Sequence, residues 1–188
     1  MPGYHAKGDQ TLITTLLTAL TIGVNATTAQ RNYIDEYILA IALTPSDSTV
    51  SWTIQRCTAL GTNTAVTPAG ADDGADRAAQ ALIGKNHTVE PTLTANAFII
   101  EALPINARAT YRWVAGPGKA IVTPATATNG LAFLALHATR TEDFVVQSAW
   151  QEESAMETKM GSIFITDPEV AVVEQDCHVI ADHHARGR

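Results

Sequence analysis

From His87 to Trp150 the chain is cut into short runs rich in β-branched and aromatic residues: "HTVEPTLTANAFIIEAL", "RATYRWVA", "KAIVTP", "GLAFLALHAT" and "EDFVVQSAW". Between them stand "PINA", "GPG", "ATATN" and "RTE", all short and rich in turn formers. Several short strands at this spacing predict an all-β protein, an antiparallel β-sandwich of jelly-roll type. Upstream, Thr49 to Leu60 ("TVSWTIQRCTAL") fits the same plan. Val50, Trp52 and Ile54 alternate with Thr49, Ser51, Thr53 and Gln55, the mark of a strand with one buried face.

Other segments are less one-sided. Thr11 to Val24 has no charged residue, and its Thr/Ile/Val content and closing Gly23 and Asn25 tilt it toward strand. Tyr33 to Leu43 fits an amphipathic helix by period and a strand by its Tyr/Ile content, with the turn former "TPSDS" directly after it. Within the long connection that follows Leu60, "ADRAAQALIG" predicts one short helix closed by Gly84.

Hydrophobic residues make up 46% of the 188 residues and charged ones only 16%, below the roughly 25% usual for soluble domains. Surface polarity therefore falls to neutral groups, and threonine is common along most of the chain. Threonine suits a half-exposed pleated surface, so neutral Thr- and Ala-rich faces suited to packing against other protein are expected. The net charge is −7, and no Lys/Arg cluster precedes the terminal "HHARGR", which argues against nucleic acid as a partner. "MPGYHAKGDQ" lacks the pattern of a secretory signal, and Thr11–Val24 is too short and Thr-laden to span a bilayer. A soluble protein made in the cytoplasm, with no membrane partner, is the expectation. Cys57 and Cys177 carry no C-x-x-C spacing and read as free thiols, although sequence leaves their pairing open.

Three parts follow: residues 1–10 as an N-terminal segment, 11–153 as the sandwich, and 154–188 as a C-terminal arm. The arm has a higher charge density and three brief apolar runs, whose β-branched residues call for a sheet edge to pair with. That edge is either its own or a neighbouring subunit's, by strand addition. Its candidate interface residues are Ile163, Phe164, Ile165, Val170, Val172, Val173, Val179 and Ile180.

Chemistry-bearing patterns are weak. "YRWVAGPGKAIVTP" fails as a phosphate loop, because Trp113 stands where a glycine and Ala120 where a hydroxyl are required. It reads instead as a strand reversal, with Gly116 and Gly118 giving freedom around Pro117. In "DCHVIADHH" a strand would put Asp176, His178, Asp182 and His184 on one face, with Cys177 and His183 on the other. Ligands so spaced do not converge on zinc, so a solvated terminus is the expectation unless symmetry-related copies ring an axis. The serines (Ser46, Ser48, Ser51, Ser148, Ser154, Ser162) have no histidine beside them in sequence, and no G-x-S-x-G elbow occurs. Cys57, opposite in parity to Trp52 and Ile54, is open to partial exposure and to pairing with His137, but reads first as a packing residue. Glu90, Glu101 and Asp143 are the acids in strand regions that glycoside chemistry would draw on, and nothing in the sequence distinguishes them from surface charges. "ADDGAD" is acidic but lacks the closing Glu of a calcium loop. Trp52, Trp113 and Trp150 read as core anchors rather than a binding platform.

Read in order, "SWTIQRCTALGTNTAVTP", "NHTVEPTLTA", "RATYRWVAGPGKAIVTPATATNG" and the closing Trp150 resemble small virion structural proteins of tailed bacteriophages, over roughly residues 11–153. The resemblance implies a non-enzymatic β-sandwich of the head decoration or cement type, without cofactor. It implies a homotrimer that stabilises the outer capsid surface of the virion by gripping the major capsid protein; it does not extend to the arm, whose exchange between subunits is the expectation from its own short apolar runs. Other virion roles (head fibre, tail or adaptor protein) and a carbohydrate-binding β-sandwich module are the alternatives.

Overall fold

The structure, a computed structural model, describes residues 1–13, 15–42, 44–71, 77–95, 99–137 and 141–153. In chain order its strands are β1 (Gly3–Ile13), β2 (Leu17–Gly23), β3 (Asn32–Ile41), β4 (Thr49–Ala59), β5 (Thr62–Val66), β6 (Ala69–Gly70) and β7 (Leu82–Val89). These are followed by β8 (Thr92–Leu93), β9 (Ile99–Asn106), β10 (Tyr111–Val114), β11 (Ile121–Val122), β12 (Gly130–Leu136) and β13 (Thr141–Glu152). One sheet runs β10-β3-β13-β1-β6, with β11 also on β3; the other runs β5-β7-β2-β12-β4-β8, with β9 also on β4. Every pairing is antiparallel. The described residues are thus all-β, with two antiparallel sheets in a sandwich-like arrangement, as the sequence pattern predicts.

Between the sheets lies the main core. The first sheet supplies Tyr4, Ile34, Tyr37, Leu39, Phe144, Val146 and Trp150; the second supplies Leu20, Ile22, Val50, Trp52, Ile54, Leu131 and Phe133. Each such side chain stabilises the fold by about 1.5–3 kcal/mol relative to exposure. Tyr37 stacks on Trp113 at 5.1 Å and meets Phe133 edge-on at 5.3 Å, while Trp52 meets Phe144 edge-on at 5.3 Å. Ile34 and Tyr37 both face inward although their spacing is odd. The register explains it: Glu36 faces Ala149 and Ile34 faces Trp150, so Asp35 is bulged out and the parity of β3 switches there.

Several expectations need correction. The first ten residues are not a separate segment, because β1 begins at Gly3 and pairs with β13 along its whole length. Its inward positions are Tyr4, Ala6 and Gly8, and a Cβ on Gly8 would stand 2.3 Å from the Ala19 carbonyl oxygen of β2. The two sheets approach closely at that point. Thr11–Val24 is likewise not one strand, since β1 ends and β2 begins inside it.

No helix occurs among the described residues. Part of "ADRAAQALIG" lies outside them, residues 77–80 are irregular, and Leu82–Gly84 open β7. Tertiary pairing overrides local propensity there: Ile22 faces Ile83, Thr21 faces Gly84, and Ile83 is buried in the core. "PINA" is no turn either. Its Pro104 sits inside β9, an outer strand that hydrogen-bonds to β4 on one side, where a missing N–H is tolerated.

The "GPGK" loop does not reverse the chain. Val114 of β10 faces Glu36 and Ile121 of β11 faces Ile34, so both strands run along β3 in the same direction. Residues 115–120 form an excursion from one interrupted edge strand. Its tip is a turn closed by the Lys119 N–H donating to the Gly116 carbonyl at 2.9 Å, with Pro117 at the second position and Gly118 at φ 68°. That is the type II pattern, which needs a residue tolerant of positive φ where Gly118 stands.

Candidate interaction face

Period two fixes what the first sheet shows on its outer side. The cross-strand rows are Asp9–Val145–Ala40, Lys7–Gln147–Ile38–Arg112 and His5–Ala149–Glu36–Val114. Down the middle of this face run Val145, Ala40, Ile38 and Ala149, all partly exposed, with Val114 56% exposed at its margin. Charged groups frame the stripe. Arg112 holds Glu36 in a two-pronged bond, Nε to Oε1 at 2.6 Å and Nη2 to Oε2 at 3.0 Å, which keeps the Glu36 carboxyl below its usual range. Lys7 and Asp9 stand at the β1 side, and Asp9 is paired with Lys85 at 2.7 Å. His5, Glu36, Ile38, Gln147 and Ala149 line a shallow groove of about 200 Å³ on this face. A mildly apolar stripe inside a polar rim is the make-up of a protein-contact surface.

On its outer side the second sheet is covered by its own chain at the Cys57 end of β4, while Thr49 and Ser51 at the other end are exposed. β4 and β5 pair along β7 and β8: Cys57 faces Leu93, Ala59 faces Thr92, Thr62 faces Val89 and Val66 faces Ile83. A second apolar cluster of Cys57, Ala132 and Leu134, with Leu60 and Leu93 against it, lies on this side. Glu90 accepts from the Thr18 N–H at 3.0 Å and the Thr18 hydroxyl at 2.5 Å, and His87 Nε2 lies 3.3 Å from the Thr21 hydroxyl. This corrects the expected exposure of Cys57. Its parity is opposite to Trp52 as predicted, but that face is also covered, leaving Cys57 1% exposed. Burial pushes its thiol up to about 11. His137 follows the far end of β12, whose other end, Gly130, faces Cys57, so no Cys/His pair forms.

Sequence reasoning missed two polar clusters. In the first, His137 Nε2 and the Ser48 hydroxyl are 2.7 Å apart, Ser48 bonds Ser46, and the Ser46 hydroxyl donates to Glu142 at 2.5 Å. A serine next to a histidine invites comparison with a catalytic triad. Here, however, the carboxylate reaches a serine rather than the imidazole, so it does not orient the base. The chain ties the β3–β4 loop to the start of β13. The second cluster is centred on Glu152, whose side chain has no exposure. Its carboxylate accepts from the N–H groups of Gln80 (2.9 Å) and Ala81 (2.8 Å), from Gln30 Nε2 (2.7 Å) and from Arg77 Nη2 (3.3 Å). No local pattern could have disclosed either cluster, because their members are far apart in sequence.

The remaining candidates disperse. Glu90 lies over the second sheet, Glu101 accepts from the Tyr37 hydroxyl, and Asp143 accepts from the Thr11 hydroxyl at 2.6 Å. They share no cleft. Trp52 and Trp150 are buried and Trp113 is half-buried against Tyr37, so the tryptophans make no exposed coplanar platform. Among the described residues no three His, Cys, Asp or Glu side chains group as metal ligands. Most of "ADDGAD", all of "DCHVIADHH", and the arm residues Ile163, Phe164, Ile165, Val170, Val172, Val173, Val179 and Ile180 lie outside the described residues.

No protein-family model and no curated protein matches the chain. Among solved structures, a chain of "Structure of infectious bursal disease virus Gx strain" aligns at 9% identity with a TM-score of 0.19. The alignment covers 91% of this chain and 51% of that one, so this chain spans about half its length. A likeness that low carries no argument about fold or function.

Proposed function

We propose that this protein is a phage virion component of the decoration or cement type, a non-enzymatic trimer that binds the outer capsid surface and stabilises it. The observation that carries the reading is the outer face of the first sheet. Ile38 and Ala40 of β3 with Val145 and Ala149 of β13 form a mildly apolar stripe across two hydrogen-bonded strands, framed by His5, Lys7, Asp9 and the Glu36–Arg112 pair. The segment resemblance to small virion proteins points the same way, as do the neutral composition and the scarcity of entropy-costly lysines. In this reading the stripe grips the major capsid protein. The arm beyond Glu153 exchanges between subunits, adding interface above the roughly 1,600 Å² of an ordinary contact.

Sedimentation velocity and thermal melting of the full chain, beside a chain ending at Glu153, test the arm. A trimer that dissociates or melts much earlier after truncation is expected. A full-length chain that stays monomeric at micromolar concentration would overturn arm exchange.

A further inference from the structure

Arg77, Arg108 and Arg112 are paired with the carboxylates of Glu152, Asp47 and Glu36. Among the described residues, Arg31 and Arg56 have no carboxylate within ion-pair distance, and both line one groove. The groove has a volume of about 420 Å³ and lies where β11 of the first sheet meets the end of β4 of the second. Its walls include Val122, Pro124, Thr94 and Asn129. Arg56 Nη1 donates to the Val122 carbonyl at 2.6 Å, which anchors the guanidinium and leaves its other N–H groups available. A guanidinium without an acid, in a chain of net charge −7, sits where the surrounding field does not favour anions. Two of them in one groove amount to a local exception to that field.

We propose that this groove binds a carboxylate carried on a short apolar stem, either a small carboxylic acid or an acidic side chain of a protein segment. Each guanidinium offers the planar donor fork that fits a carboxylate. Val122 and Pro124 supply apolar wall for the methylene stem. Phosphate fits less well, since the groove has no Gly-rich loop or helix N-terminus to crowd backbone N–H groups around it. The proposal is independent of capsid binding, and its test needs no capsid.

The test is an arginine side-chain ¹⁵Nε NMR titration of the full chain at constant ionic strength, with sodium glutarate and separately with sodium phosphate. The Arg31 and Arg56 signals should shift saturably with glutarate in the millimolar range, while those of Arg77, Arg108 and Arg112 stay in place. Phosphate should bind at least about fivefold more weakly, and Arg56→Gln and Arg31→Gln should each weaken glutarate binding about fivefold or more. Arg31 is exposed, so its variant remains informative if the Arg56 variant unfolds. A peptide with the acidic run "TDPEVAVVEQD" separates the two sources. Binding about tenfold tighter than glutarate assigns the site to a protein segment, and equal or weaker binding assigns it to a small acid. Three outcomes overturn the proposal: no saturable shift up to about 50 mM glutarate, equal shifts at all arginines, or phosphate binding as tight as glutarate.

Discussion

Replacing Glu152 tests how the β6–β7 connection is held onto the sandwich. Its buried carboxylate accepts from the N–H groups of Gln80 and Ala81, from the Gln30 amide and from Arg77. Glu152→Ala strands two backbone donors at about 1–3 kcal/mol each and leaves the guanidinium without its acid. The expected loss is about 4 kcal/mol, from a total that for single domains is about 5–15 kcal/mol. At about 2–4 °C per kcal/mol for a chain of this size, the melting temperature should fall by about 8–16 °C.

Glu152→Gln keeps one oxygen for the two backbone donors but points an amide N–H₂ at Gln30 and Arg77, so about half that loss is expected. The Arg77 side chain is 35% exposed, and Arg77→Ala should cost no more than about 1 kcal/mol. Thermal unfolding followed by circular dichroism, with urea titration to check that the m-value holds, reads all three. A Glu152→Ala shift under about 2 °C would refute the reasoning. An Arg77→Ala loss equal to that of Glu152→Ala would show that the ion pair, not the backbone donors, carries the energy.

Cys57 should alkylate at pH 8 about a hundredfold more slowly than an ordinary thiol, since its value rises from 9.0 to about 11 and only the thiolate reacts; peptide mass mapping after iodoacetamide reads this, and fast labelling would show the site to be open. The same shift holds the thiol protonated in the fold, so its stabilising contribution is complete below about pH 9 and is lost as pH rises toward 11, measurable as falling urea midpoints. Burial lowers His87 below the ordinary imidazole value of 6.5; stability from keeping it neutral is therefore complete above about pH 6.5 and declines in more acid solution, and His87→Gln should flatten that part of the pH–stability curve. Gly8→Ala should destabilise severely, because its Cβ meets the Ala19 carbonyl oxygen at 2.3 Å, whereas Gly118→Ala, with nothing within 4 Å, should cost only about 1 kcal/mol for its positive φ; equal melting shifts would contradict this.

Strands whose side chains alternate cleanly, such as Val50–Trp52–Ile54, were legible because one face is wet and the other dry. β1 is not, since "GYHAKGDQ" meets the core with only Tyr4, Ala6 and Gly8, and Gly8 stands where β2 approaches too closely for a side chain. Leu82–Gly84 passed for a helix end because pairing with β2 outweighs local propensity. The "GPGK" turn is legible in its glycines and proline, but its effect on chain direction depends on β3, which local residues do not report. Sites behaved likewise. Cys57 had the predicted parity, yet the ribbon that covers it is a long-range pairing. The outer stripe emerges only after register brings Val145 beside Ala40 and Gln147 beside Ile38.

The proposed capsid role is tested by electron microscopy of virions assembled with the chain and of virions assembled without it. In that role the chain gives difference density on the outer capsid surface at three-fold-like positions, with the first sheet's stripe turned toward the major capsid protein, and particles lacking it resist heat less. Density confined to the tail or fibres, or no difference at the capsid surface, would contradict it.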